Sequence, residues 1–81
     1  MIVNMSRSTI ECERKDGRRV TLEGEFTFPA PGKYIFNMFG QRPTHWDSPN
    51  SNEALTQEEF STIVDEIRRE FARTGGQLEL D

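Results

Sequence analysis

Residues 46–60 read WDSPNSNEALTQEEF, and this stretch decides where a polar loop ends and a helix begins. Thr56 and Glu59 have the spacing of a capping box, in which each side chain accepts a hydrogen bond from the other residue's backbone N–H. Leu55 and Phe60 occupy the two positions of a hydrophobic staple. We therefore predict a loop over residues 40–55 and a helix that starts at about residue 57.

The residues that follow the capping box repeat with the period of an α-helix. Apolar side chains recur every three or four residues and make one stripe along the predicted helix. Arginines are frequent toward its far end, where cations favour the helix dipole, and Gly75-Gly76 stops it. We predict one amphipathic helix over residues 57–74. The stripe consists of Phe60, Ile63, Val64, Ile67 and Phe71.

Three segments ahead of the loop alternate apolar and polar residues, which is the pattern of half-buried β-strands. The turn signal at residues 29–32, PAPG, separates the second segment from the third and pairs Phe28 with Tyr34. The even-numbered residues of all three strands then point into one apolar layer. The three segments are residues 8–14, 18–28 and 33–39.

The turn between the first two strands is decided by their register. A two-residue turn would place the two apolar sets on opposite faces of the sheet. A three-residue loop, Lys15 to Gly17, pairs Cys12 with Val20 and gives Gly17 the left-handed conformation that such a loop requires. We predict the three-residue loop.

Residues 77–80 alternate once more and predict a short final strand. Because the helix returns the chain to its starting end, this strand should run parallel to its neighbour, whose identity the sequence leaves open. The predicted fold is a single α+β domain over residues 1–81. It is an antiparallel meander of three strands, covered on one face by the helix and joined by the final strand.

Charge and hydropathy restrict the partners. Fourteen Asp and Glu against ten Lys and Arg give a net charge of −4, which repels phosphate backbones and anionic lipids and attracts a basic partner. The longest mostly apolar run, residues 34–39, is far shorter than the ~20 residues of a membrane span. The opening MIVNMSRS lacks the apolar core of a secretion signal. We expect a soluble, cytoplasmic protein that binds neither nucleic acid nor membranes.

The sequence contains no recognisable catalytic, cofactor or metal motif. Cys12 is the lone cysteine, and His45 is the lone histidine. His45 lies near Asp47, but no patterned nucleophile or phosphate-binding loop accompanies them. We therefore expect a protein that is not an enzyme and needs no cofactor.

The odd-numbered residues of the predicted sheet lie on the face that the helix does not cover. This face carries Glu11, Glu23 and Glu25, which is typical of a solvated surface with a few ion pairs. Ile35 and Phe39 project onto the same face, and apolar neighbours beside an acidic patch can mark a contact surface. Alternatively, the 40–55 loop folds back and covers them.

The loop is longer than most connections in compact domains, so it is either functional or mobile. Trp46 is its anchor and has two interpretations: it closes one end of the core, or it is a hot spot for a protein partner.

The order of these elements resembles a known family. A hairpin with a charged tip, an aromatic strand, a Trp-x-x-Pro element at residues 46–49 and a capped helix are similar to small immunity proteins of bacterial polymorphic-toxin and contact-dependent inhibition systems. The resemblance covers about residues 6–81. It implies a non-enzymatic inhibitor that binds and neutralises a cognate toxin.

Seven residues are therefore candidates for partner binding. A rival hypothesis is a small accessory or regulatory domain that binds a ligand in the groove between the loop and the sheet. No feature of the sequence demands a dimer. The candidates are Glu11, Glu23, Glu25, Ile35, Phe39, Trp46 and Asp47.

Overall fold

A computed structural model of the chain describes residues 1–40 and 42–80 and shows an α+β fold, with one helix and a five-stranded mixed sheet. Strand order in the sheet follows chain order. Neighbouring strands are antiparallel except the last two, which are parallel. The elements are β1 (Ile2–Met5), β2 (Thr9–Glu13), β3 (Arg19–Ala30), β4 (Lys33–Met38), α1 (Gln57–Thr74) and β5 (Gly76–Leu80).

Helix α1 has both of the ends that its sequence predicts. The backbone N–H of Glu59 donates to Thr56 Oγ1 at 3.1 Å, and the backbone N–H of Thr56 donates to Glu59 Oε1 at 3.0 Å. At the other end Gly75 adopts a left-handed conformation with φ 84°, and its N–H donates to the carbonyl of Phe71. The capping box and the glycine stop are confirmed.

The hairpin of β2 and β3 has the predicted three-residue loop. Cys12 lies opposite Val20. The N–H of Arg14 donates to the carbonyl of Arg18 at 2.9 Å, and Gly17 has φ 88°. Register was decisive because only this loop places both apolar sets on one face.

The next hairpin departs from the prediction at its tip. Phe26 lies opposite Phe36, as expected, but the register shifts between Thr27 and Ala30. The predicted pairing of Phe28 with Tyr34 falls in this irregular part and is not among the regular pairs of the ladder. The prediction that Phe28 belongs to the apolar layer is wrong, since the residue is 75% exposed. The strand continues through Pro29, which has no N–H to donate to a regular ladder.

The sheet has one more strand than the predicted meander of three and its final partner. Strand β1 was missed because its four residues are mostly exposed and a register shift between Ile2 and Asn4 breaks the alternation. The final strand, β5, joins β4, with Leu78 opposite Phe36. This answers the question of its neighbour.

Strand β3 belongs to two half-sheets. Its residues 19–23 pair with β2, and its residues from Gly24 onward pair with β4. At the change of partner, a Cβ on Gly24 would lie 2.2 Å from the carbonyl oxygen of Asn37 and 2.8 Å from the ring of Phe36. Only glycine permits this approach of the two strands.

The helix packs its apolar stripe against the even-numbered side chains of the sheet, and Trp46 and Leu55 of the loop join this core. Within the loop, His45 forms a backbone bridge with Ala54. Among the described residues, no helix combines the length and the apolar character needed to cross a membrane. The buried core is Ile10, Cys12, Val20, Leu22, Phe36, Met38, Trp46, Leu55, Phe60, Ile63, Val64, Ile67, Phe71 and Leu78.

Candidate functional site

The face of the sheet opposite α1 is exposed or half-buried at every odd-numbered strand position. We call this surface the open face. It follows directly from the fold, since one helix covers one side of the sheet. Its side chains come from four strands: Thr9, Glu11, Glu13, Arg19, Thr21, Glu23, Glu25, Thr27, Ile35, Asn37, Gln77 and Glu79.

Most carboxylates of the open face have neutral cross-strand neighbours. Glu11 lies opposite Thr21, and Glu23 lies opposite Thr9. None of the salt bridges found in residues 1–40 and 42–80 involves Glu11, Glu23 or Glu25. Their charge is not neutralised within the sheet, so the face projects a negative potential into solvent.

One carboxylate of the face is paired. Arg19 Nε lies 2.8 Å from Glu13 Oε2, and the two residues are cross-strand neighbours. Both side chains reach solvent, so this pair contributes little to stability. Arg7 lies outside the strands, between β1 and β2.

The two apolar candidates differ in exposure. Phe39 is 54% exposed, whereas Ile35 is half-buried opposite Thr27. The N–H of Phe39 donates to the carbonyl of Glu23 at 3.0 Å, which joins the two backbones just beyond the end of β4. The loop does not bury Phe39, because its anchor Trp46 packs on the other side of the sheet, in the core.

Asp47 lies where the loop meets the sheet. Its N–H donates to the carbonyl of Arg19 at 2.8 Å, and Thr21 Oγ1 donates to its Oδ2 at 2.6 Å. The loop thereby provides hydrogen-bond partners for the part of β3 that does not pair with β4. Because Thr21 belongs to the open face, the half-buried carboxylate of Asp47 borders that face.

Trp46 is in the core and only 2% exposed, so its side chain contributes no area to the open face. Arg18 stacks on it, with its guanidinium carbon 4.3 Å from the ring centroid. The indole Nε1 is buried without a hydrogen-bond partner in the described part of the chain. Of the two interpretations of Trp46, the structure shows the core position.

Arg18 also connects the hairpin tip to the loop and the helix. Its guanidinium lies 2.8 Å from Asp16, 3.0 Å from Glu59 and 3.6 Å from Glu53. A hydrogen bond from the backbone N–H of Arg18 holds the pKa of Asp16 below its ordinary value, and one from Thr56 does the same for the pKa of Glu59. Sequence reasoning missed Arg18, since no spacing relates it to Trp46.

Glu79 is a further member that the sequence did not identify. Glu79 is on β5 and lies opposite Asn37 of β4. Its Oε1 accepts a hydrogen bond from Gln77 Nε2 at 2.6 Å. Because Leu78 and Leu80 flank it, the sequence indicated that Glu79 faces the opposite way from these two leucines. Assigning Glu79 to a face required knowing which strand β5 joins.

The loop histidine has a local role. His45 is exposed, and its Nδ1 lies 3.0 Å from Thr44 Oγ1. Across residues 1–40 and 42–80, no three His, Cys, Asp or Glu side chains are grouped so that they could hold a metal ion.

The fold and the open face define a small α+β domain that covers one side of its sheet with a helix and leaves the other side to solvent. The chain belongs to the immunity protein 74 (Imm74) family, whose family model matches residues 2–81. This confirms the resemblance to immunity proteins of toxin systems. No match was found among curated proteins or among solved structures.

Proposed function

We propose that this chain is a non-enzymatic immunity protein that binds a cognate bacterial toxin and neutralises it in the cytoplasm of the producing cell. Membership in the Imm74 family supports a toxin as the partner. The observation that carries the proposal on the structural side is the open face, where Phe39 is exposed and where Glu11, Glu23 and Glu25 form no salt bridge within residues 1–40 and 42–80. Such a protein needs a stable scaffold and one complementary surface.

The partner that best fits this surface is a basic toxin surface. Unpaired Glu11, Glu23 and Glu25 create a field that accelerates encounter with a positive patch. Once the two proteins touch, desolvation of Phe39 and Ile35 adds affinity that charge alone does not provide. Asp47 extends the same negative border.

The test is binding to the toxin encoded by the adjacent gene. We expect the two proteins to purify together, and we expect Glu23→Lys combined with Glu25→Lys to weaken binding at least about tenfold. The matched control is Glu58→Lys combined with Asp65→Lys, which changes net charge equally at exposed positions of α1. Isothermal titration calorimetry measures both affinities.

A result in which the sheet variant and the helix variant bind equally well would show that the open face is not the docking surface. Neutralisation is measured separately, as protection of cells that express the toxin. The wild-type chain should protect, and the Glu23→Lys, Glu25→Lys variant should protect less at equal expression. A chain that binds but gives no protection would contradict the proposed function.

A further inference from the structure

A cleft of about 830 Å³ lies between the tip of the β2–β3 hairpin and the C-terminal half of α1. Its walls carry charged side chains of both signs. The open face supplies none of its cations, which come from the hairpin, from α1 and from the Met1 ammonium. What the cleft can bind depends on which of these charges are already satisfied within the protein.

The carboxylates of the cleft are engaged. Glu66 Oε2 lies 3.2 Å from the Met1 ammonium, and Glu70 Oε2 accepts from the N–H of Ile2 at 3.1 Å. Each of the other two carboxylates on the wall is paired with an arginine at 2.8 Å. These pairs are Glu13 with Arg19 and Asp16 with Arg18.

The cations of the cleft are not engaged in the same way. Lys15, Arg69 and Arg73 take part in none of the salt bridges found in residues 1–40 and 42–80. Arg14 Nη1 is buried without a hydrogen-bond acceptor in that part of the chain. Its salt-bridge partner, Glu66 Oε1, is 4.0 Å away, which is too far for a hydrogen bond. The positive charge of Arg14 is therefore only weakly compensated by the carboxylates around it, and its side chain still lines the cleft.

We propose that this cleft is an anion site that binds a phosphate group, either as free phosphate or as the phosphate monoester of a small molecule. Arg14, Arg69 and Arg73 supply forked N–H donors, which match phosphoryl oxygens, and Lys15 adds a point charge. The volume lies within the range of small-molecule sites. The proposal is independent of toxin binding, because the open face contributes no cation to the cleft.

The test is a titration followed by two-dimensional ¹H–¹⁵N NMR, with inorganic phosphate in one series and adenosine monophosphate in the other. We expect saturable shifts at the amides of residues 14–16 and 69–73, beyond those that sodium chloride causes at equal ionic strength. Tighter binding of the nucleotide identifies a small-molecule ester as the ligand class, and equal binding identifies free phosphate. Shifts that do not saturate, or that sodium chloride reproduces, would overturn the proposal.

Variants locate the site. Arg73→Gln and, separately, Arg14→Met should each weaken binding of the better probe about tenfold or more, because each removes charged donors to the phosphate. The matched control is Arg68→Gln, an exposed position on the same helix that does not line the cleft. Arg73 is exposed, so its variant should fold even if Arg14→Met does not. Equal affinity of Arg73→Gln and Arg68→Gln would place the anion elsewhere.

Discussion

The guanidinium carbon of Arg18 lies 4.3 Å from the ring centroid of Trp46, although the two residues come from different parts of the chain. Arg18 follows the hairpin tip, and Trp46 anchors the loop. The same guanidinium reaches Glu59 at the start of α1. One side chain therefore holds the hairpin, the loop and the helix together, and it covers the face of a buried indole.

Replacing Arg18 should loosen this junction. We expect both Arg18→Met and Arg18→Lys to lower the midpoint of urea unfolding, because methionine loses the charge and lysine loses the planar group that stacks on Trp46. The near-UV circular dichroism of the tryptophan should weaken as well. Arg68→Met, at an exposed position on α1, is the control. If Arg18→Met unfolds at the same urea concentration as Arg68→Met, the stacking has no energetic role.

Trp46 should matter more to stability than any residue of the open face. Truncating a buried aromatic side chain costs about 3–5 kcal/mol, a large part of the total for a domain of this size. We expect Trp46→Ala to be largely unfolded by far-UV circular dichroism. Trp46→Phe should stay folded with a smaller loss, since the indole Nε1 has no hydrogen-bond partner among residues 1–40 and 42–80. A fully stable Trp46→Ala would contradict the core position.

Cys12 should make the protein sensitive to alkali. Burial raises the pKa of its thiol from 9.0 to about 12. Between these values the unfolded chain loses this proton while the folded chain keeps it. The free energy of unfolding should therefore fall as pH rises from about 9 to about 12, by up to about 1.4 kcal/mol per pH unit.

The Cys12 contribution is isolated by difference, because other groups also titrate in that range. Urea unfolding of the wild type and of Cys12→Ala is measured at each pH. The gap between the two curves should change across the window and remain constant below it. Parallel curves throughout would mean that the thiol ionises equally well in the folded state.

Two glycines should respond differently to alanine. Gly24→Ala places a methyl group against the carbonyl of Asn37, and we expect a loss of at least about 3 kcal/mol, the upper end of overpacking. Gly17→Ala has open space around it but a φ of 88°, so it should lose only about 1–2 kcal/mol. Thermal unfolding ranks the two. A Gly24→Ala variant as stable as Gly17→Ala would show that β3 and β4 separate easily.

The sequence predicted the parts of the fold in which local periodicity and tertiary packing agree. The capping box at Thr56, the stripe on α1 and the pairing of Cys12 with Val20 are all patterns within or between adjacent elements. Strand β1 escaped because a short, exposed strand with a register shift has no clear period. The exposure of Phe28 was not predicted. The even or odd position of a residue along a strand assigns it to one face of the sheet, but it does not say how far the helix extends over that face.

The candidate surface was predictable to the same extent. The alternation of residues along the strands placed Glu11, Glu23 and Glu25 on one face, and in the structure the helix does not cover that face. The contact of Arg18 with Trp46 joins distant parts of the chain and depends on the path of the loop, which no local pattern encodes.

The open face and the core share no side chains, because successive residues of each strand alternate between them. Substitutions on the open face could therefore change binding specificity one at a time without disturbing the packing of the core. A protein whose partner changes in sequence benefits from this separation, since its specificity can change while the fraction of folded protein stays the same.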